Sequence, residues 1–345
     1  MIGFRALRVL SHARKLMWRE DYVGAIAYLR EACLERPDAK CQALLARCRY
    51  LAYVAHPPAA QPARAGAWPP EVEDPFASVE GIPEITPDRF DALTLAAGIR
   101  HHGALLVRGL LDEARVARLV SGVDRAMQAC EAWHRGDYRS EDAAWYSRMS
   151  LGKECAIVMG RGFGESAGGV WAADSPRMLQ ELIDTFEAVG VSKTIGDYFG
   201  ERPMLSVGKS TLRRVPASQG IADWHQDGAF MGSDIRSVNV WLSLSHCGED
   251  ASGLEFLPRR IPVVLPTGTH GANFDWTVGP GMVEQAAAGV ALESPVFAPG
   301  DALLFDHFFL HRTGVPPGIR KPRYAIESWF FAPSAYPARQ VPLWL

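Results

Sequence analysis

What this chain lacks limits it first. None of its six cysteines, Cys33, Cys41, Cys48, Cys130, Cys155 and Cys247, stands in a C-x-x-C pair, so neither a thiol-redox motif nor a cysteine-built zinc knuckle is present. Three of them fall in a helical N-terminal stretch and read as small hydrophobes, which points to a reducing cytoplasm. No apolar run near the start reaches the roughly 20 residues of a membrane span. The opening "MIGFRALRVLSHARKLMWRE" breaks its apolar residues with Arg and His every few positions, which excludes a signal peptide and leaves an amphipathic basic helix, a form that also suits a membrane surface. Positive charge is not in excess: 36 Lys and Arg face 39 Asp and Glu, a net of −3, with an isoelectric point near 6.4. Nucleic acid is therefore excluded as a partner, because nothing would neutralise its backbone. What remains is an ordinary globular composition, 48% hydrophobic and 22% charged over 345 residues, enough for a large core and long for one domain.

Residues 1 to 55 read as helices. "DYVGAIAYLREACLERPDA" places Tyr22, Ile26, Leu29 and Cys33 on one stripe and closes at Pro37, the spacing of an amphipathic helix. With "ARKLMWRED" before it, the stretch resembles a tetratricopeptide helix pair followed by one more helix. A single repeat cannot bury its own apolar face, so it packs on the rest of the chain, on a second copy or on a protein partner, or is a helical decoration with no binding role. Residues 56 to 75, rich in Pro and Ala, read as a semi-extended linker, and 76 to 345 as the main domain. Its first half reads helix, strand, helix, with Thr86 and Pro87 at a helix start, "GALLVRG" as a strand, and "DSPRMLQELIDTFEAVGVSKTIGDYFG" as one helix capped by Ser175 and Pro176. "VMGRGFGESAGGVW" lacks the G-x-G-x-x-G spacing of a dinucleotide loop and reads as a mobile loop or lid. From Pro203 onward, short runs such as "MLSVGKSTLRRV", "SVNVWLSLS", "GLEFLPRR", "GVALESPVFA", "DALLFDHFFLHRTG" and "YAIESWFFAP" alternate with Gly, Pro and Asp clusters. Helices that precede strands, rather than alternate with them, disfavour a parallel sheet and favour an α+β chain with a jelly-roll core.

The chemistry-bearing stretch is "ADWHQDGAFMG". In an extended strand His225 and Asp227 would aim at one point, half of a metal site. A third ligand must come from a distant strand, with His246, His270, His307 and His311 as candidates; His307 and His311, four apart, would share a face of one strand.

"WHQDGAF", "VWLSLSHCGEDASGLEFLP", "PGDALLFDHFFLHRTG" and "PRYAIESWFF" occur in the order found in the phytanoyl-CoA dioxygenase family of iron(II) and 2-oxoglutarate-dependent oxygenases. The chain resembles that family over roughly residues 80 to 335, most strongly in the second half. The resemblance implies a double-stranded β-helix (cupin-like) core flanked by helices, and iron held by His225, Asp227 and His311, with His307 a packed neighbour. Two imidazoles and one carboxylate leave room on an octahedral iron for a bidentate 2-oxo acid and O2. The related halogenases carry a small residue where Asp227 stands, so the aspartate implies hydroxylation or another oxygen-driven oxidation. The far carboxylate of 2-oxoglutarate needs a cation in an apolar barrel. Arg312, Arg320, Lys321 and Arg323 are available, and family position favours Arg323 with Arg320 as its rival. Thr313 would add a hydroxyl, Trp241 a wall or a core residue, and Gln226 a further contact if the backbone bends at Gly228.

The implied activity is hydroxylation of a C–H bond in a small molecule or natural product, with 2-oxoglutarate decarboxylated to succinate. Desaturation, epimerisation or cyclisation on the same fold, a zinc hydrolase, and a non-enzymatic interaction protein led by the N-terminal helices are the alternatives. "AWYSRMSLGKEC", with Tyr146, Arg148 and Lys153, is a candidate anion-recognising lid. The acidic balance gives no support for a CoA ester as substrate.

Overall fold

The computed structural model describes residues 4–55, 68–151, 160–218, 223–338 and 340–345. Three helices come first, α1 (Phe4–Trp18), α2 (Tyr22–Glu35) and α3 (Ala39–Ala55). Asp21 caps α2 by accepting the Gly24 N–H, and Ile26, Leu29 and Cys33 are buried as their spacing requires. They share one small core with Leu10 and Ala13 of α1 and Leu45 and Cys48 of α3. The face beyond it docks on the chain itself: Ala46 and Tyr50 enter the main core, buried Arg49 donates to the Trp344 carbonyl at 2.8 Å, and Arg30 pairs with Asp184 and Glu187. No second copy is needed to cover that side.

Of the stretch read as a linker, 56–67 lies outside the described residues. The remainder is packed rather than free-standing, since Trp68 meets the Tyr198 ring at 4.7 Å and the Pro69 carbonyl accepts from Arg100 at 2.8 Å. There follow β1 (Glu84–Ile85), α4 (Ala92–Ala97), β2 (Ala104–Val107), α5 (Glu113–Arg135), α6 (Arg161–Ser166), β3 (Gly169–Trp171), α7 (Pro176–Ala188) and α8 (Val191–Phe199). Two expectations are corrected here. The glycine-rich run forms α6, pinned by Arg161, which donates to Asp174 at 2.5 Å and to the Met149 carbonyl at 2.7 Å. The single long helix is two, broken at Gly190, whose φ of 78° is left-handed.

The strand-rich half contributes β4 (Met204–Val215), the one-turn α9 (Gly228–Met231), β5 (Ser237–Ser243), β6 (Gly253–Phe256), α10 (Pro280–Ala287), β7 (Ala302–Phe305), β8 (His311–Gly314), β9 (Arg323–Phe331) and β10 (Pro342–Trp344). Among the described residues the large sheet runs β1-β2-β7-β5-β9-β4-β10, with β3 beside β4. All its pairs are antiparallel except β1 with β2. The small sheet is β6 with β8, widened by single bridges from His225 to His311 and from Glu293 to Phe256. The segment "GVALESPVFA" supplies only such bridges, not a strand.

Trp241, Leu303, Phe305, Trp329 and Phe331 of the large sheet meet Leu254 and Phe256 of the small one in an apolar interior. The other face of the large sheet, Val238, Val240, Leu304 and Ile326, packs under Leu119, Val123, Leu182 and Phe186 of the helices. Two facing, mostly antiparallel sheets with helices outside one of them fit a jelly roll. Leu205 lies opposite Phe330 but Ser210 opposite Ser328, so β4 advances further than β9 and bulges opposite Trp329. Bulges of this kind re-aim side chains next to sites.

Candidate metal centre

His225 and His311 face each other across a bridge in which each N–H reaches the other's carbonyl, at 3.0 and 3.1 Å. Their rings lie 4.4 Å apart between centroids. Asp227 is not in an extended strand as the alternation argument assumed. It has helical dihedrals, φ −62° and ψ −23°, and stands at the N-cap of α9. The turn needs glycine at 228, where a Cβ would meet Val264 Cγ2 at 2.8 Å and the His307 carbonyl at 3.1 Å. The carboxylate nevertheless meets the imidazoles, because one ligand atom from each of His225, Asp227 and His311 falls within 4.8 Å of the others. Asp227 Oδ2 is 3.8 Å from His311 Nε2.

Both imidazoles are oriented from behind. His225 Nδ1 lies 2.9 Å from the Asp223 carbonyl and His311 Nδ1 3.0 Å from that of Phe309. Each therefore donates Nδ1–H to backbone and leaves its Nε2 lone pair for a metal, the arrangement usual at histidine-ligated sites. Burial and the neighbouring His225 push His311 down to about 4, so it is neutral and ligand-competent at ordinary pH. Burial pushes Asp227 up, but Lys209 and the two imidazoles more than reverse this and hold it below the usual carboxylate range. Two imidazoles that present Nε2 and one anionic carboxylate form a donor set that suits a divalent ion.

The other expected residues fall in distinct places. Arg323 opens β9, is 4% exposed, donates Nη1–H to the Gly253 carbonyl at 3.0 Å, and has no partner for Nε. Trp241, packed 4.8 Å from Phe297, is buried with its Nε1–H unpartnered. Two buried donors without acceptors on the inner wall are what a carboxylate-bearing ligand would satisfy. Thr313 follows His311 by two on β8 and is half-buried. Arg312 between them points away, paired with Glu255 at 2.7 Å and lying over Trp224. Arg320 is exposed beside an open surface cleft lined by Asp250 and Pro317. Gln226 is committed elsewhere: its amide donates to the Val263 and Phe308 carbonyls and accepts the Leu265 N–H at 2.7 Å, tying two loops together.

His307 does not share a strand with His311. β7 ends at Phe305 and His307 sits in the following turn, fully buried, 2.8 Å from Ser237 Oγ and 3.2 Å from the Ser233 carbonyl. His246 and His270 are exposed. The expected lid residues Tyr146 and Arg148 form a chain with Glu165, at 2.7 Å per link; Lys153 lies outside the described residues. Cys130, His134 and Glu165 also come within metal-ligand range of one another, but Arg148 already occupies that carboxylate.

Residue-by-residue reading missed Lys209, whose ammonium is 2.6 Å from Asp227 Oδ1, and the inward pair Arg213 and Glu327, joined through two bonds of 3.1 Å. A glycine-flanked lysine inside the apolar run "MLSVGKSTL" was the available signal.

No protein-family model matches the chain, and no curated protein does. Solved structures do. EctD from S. alaskensis, with 2-oxoglutarate and 5-hydroxyectoine, matches with a TM-score of 0.48 at 15% identity, over 79% of this chain and 81% of that one. AviO1 from Streptomyces viridochromogenes Tue57 gives 0.45 at 17%, over 72% and 98%. The epimerase SnoN, with Fe3+, α-ketoglutarate and nogalamycin RO, gives 0.44 at 16%, over 69% and 82%. Likenesses this distant leave reaction and substrate to the residues themselves. Among the described residues, no helix is long and apolar enough to cross a membrane.

Proposed function

We propose that the chain is a non-haem iron(II) and 2-oxoglutarate-dependent oxygenase of the phytanoyl-CoA dioxygenase type, hydroxylating a C–H bond of a small molecule. The observation that carries this reading is the buried gathering of His225, Asp227 and His311, two imidazoles with free Nε2 atoms and one ionised carboxylate. Iron(II) in such a set, with 2-oxoglutarate and O2, supplies the oxidising power to break an unactivated C–H bond while the oxo acid leaves as succinate and CO2.

The chain's own residues do the rest. His225 and His311 hold their positions through the mutual backbone bridge, and the Nδ1 bonds fix which nitrogen binds. Arg323 receives the far carboxylate of the co-substrate on its unpartnered Nε–H, with the Trp241 Nε1–H as a second donor on the same wall. Thr313 offers a hydroxyl from the strand that carries His311. Phe305, Phe309 and Trp329 keep water from the interior.

The test is an anaerobic titration with iron(II) and 2-oxoglutarate, read by the weak visible charge-transfer band of the chelate. The band is expected in the wild type and lost in Asp227→Ala and His311→Ala. A wild type without a band, or variants with a full one, would refute the assignment. Turnover that depends on 2-oxoglutarate and O2 separates the reading from a zinc hydrolase, and labelled O2 recovered in the product separates hydroxylation from epimerisation or cyclisation.

A further inference from the structure

Lys209, Phe230 and Trp276 have no part in the reading above, which the following inference rests on and extends. The bulge of β4 brings Lys209 to the inner wall, with its side chain 11% exposed. Its ammonium stands 4.9 Å from the Phe230 ring centroid and 5.6 Å from that of Trp329. From Phe230 an aromatic path leads outward: Trp276 is edge-on at 6.4 Å, and Phe274 stacks on Trp276 at 5.8 Å. Trp276 also lies 6.1 Å from the His225 ring. Phe274 and Trp276 are 57% and 40% exposed, so the path joins the metal ligands to solvent.

The charges of this inner wall do not balance. Among the described residues, Lys209 pairs with Asp227 and Arg213 with Glu327, while Arg323 meets the Gly253 carbonyl and no carboxylate of its own. The two charges of iron(II) and the two of 2-oxoglutarate cancel, so loading the site leaves the surplus of one cation in place. Its location follows from the pairings. Arg213 keeps Glu327, Arg323 takes the co-substrate, and Asp227 serves the metal, which leaves Lys209 without a full counter-charge in an enclosure where an uncompensated ion is costly.

We infer that the substrate is an organic monoanion, a carboxylate whose planar or apolar body lies along Phe230 and Trp276 while its charged end meets Lys209. A multiply charged thioester of CoA does not match a single surplus cation. A neutral scaffold would leave that cation unanswered.

The test uses the full chain loaded anaerobically with iron(II) and 2-oxoglutarate, with phenylacetate, 3-phenylpropanoate and cinnamate compared against their amides by calorimetric titration at up to millimolar concentration. The acids should bind about tenfold or more tighter than the matched amides, the scale of a desolvated charge pair. Lys209→Met should bring that ratio near one, Lys209→Arg should keep it, and Trp276→Ala should weaken acid and amide by similar factors. Equal binding of acids and amides by the wild type, failure of every acid to bind, or a preference that survives in Lys209→Met would overturn the inference. The visible chelate band is recorded on each sample. If the wild type lacks it, the oxygenase reading fails and takes this inference with it; if the band is present without an acid preference, the inference alone fails.

Discussion

Replacing Arg323 by Met tests the proposed co-substrate anchor directly. The guanidinium is 4% exposed, and its Nη1 bond to Gly253 fixes it on the inner wall while Nε stays unpartnered. Burial lowers its affinity for a proton, and Cys247 and Glu327 partly offset this; an arginine starts so high that it remains a cation. Removing one partner of a buried, hydrogen-bonded charge pair costs about 2–5 kcal/mol of binding, which corresponds to an affinity loss between roughly 30-fold and a few thousandfold. The assay is an anaerobic titration of the iron-loaded protein with 2-oxoglutarate, following the chelate band. Met fills a similar volume, so the interior should stay packed, and circular dichroism checks that it does. Arg320→Met, on the exposed turn, should bind 2-oxoglutarate within about twofold of wild type, the usual indifference of a solvated charge. The reasoning is refuted if Arg323→Met keeps wild-type affinity, and the anchor moves to the turn if Arg320→Met loses it instead.

Three further outcomes are expected. Gly228→Ala puts a methyl against Val264 and the His307 carbonyl, so it should cost about 1–3 kcal/mol in urea unfolding and weaken metal binding by displacing Asp227. Arg161→Met strips the partner from buried Asp174, whose carboxyl burial already pushes up, and should cost about 3–5 kcal/mol in the same measurement; an unchanged midpoint would mean α6 is held some other way. The third concerns pH. In the metal-free protein His311 sits at about 4 rather than its ordinary 6.5. The unfolded chain therefore takes up this proton first as pH falls, and stability drops from about pH 6.5 to 4 by up to about 3 kcal/mol. His311→Gln should lack that portion of the acid loss, whereas equal pH profiles for the two proteins would contradict a depressed imidazole.

The strands were legible because hydrophobic runs bounded by Gly, Pro and Asp are a local signal: "MLSVGKSTLRRV" is β4 from end to end, and "SVNVWLS" is β5. What failed was also local in appearance but decided at a distance. "DALLFDHFFLHRTG" reads as one strand, yet its middle turns back because Asp306 is bound by Arg260 at 2.6 Å and the His307 carbonyl receives Gly228. The glycine-rich run became a helix because Arg161 found buried Asp174. Alternation suggested that His225 and Asp227 converge, and they do meet at one point, though through a turn after His225 that no period-2 rule contains.

Lys209 marks the deeper limit. Its neighbours in sequence give it an ordinary strand position, and by alternation alone it would be one more residue on a sheet face. Only the register slip against β9 explains why it meets Asp227, and a slip is a property of two strands more than a hundred residues apart. The proposed ligand types and their order along the chain can be read as a string, because the chemistry of a divalent metal restricts which side chains will serve. The sign and number of the charges left facing the ligand cannot, because they depend on which cation each carboxylate has already claimed. Asp227 with Lys209 and Glu327 with Arg213 are pairings that exist only after the sheet has closed. In the proposed site, substrate preference would be set by the unpaired remainder of the fold rather than by the His225, Asp227 and His311 set.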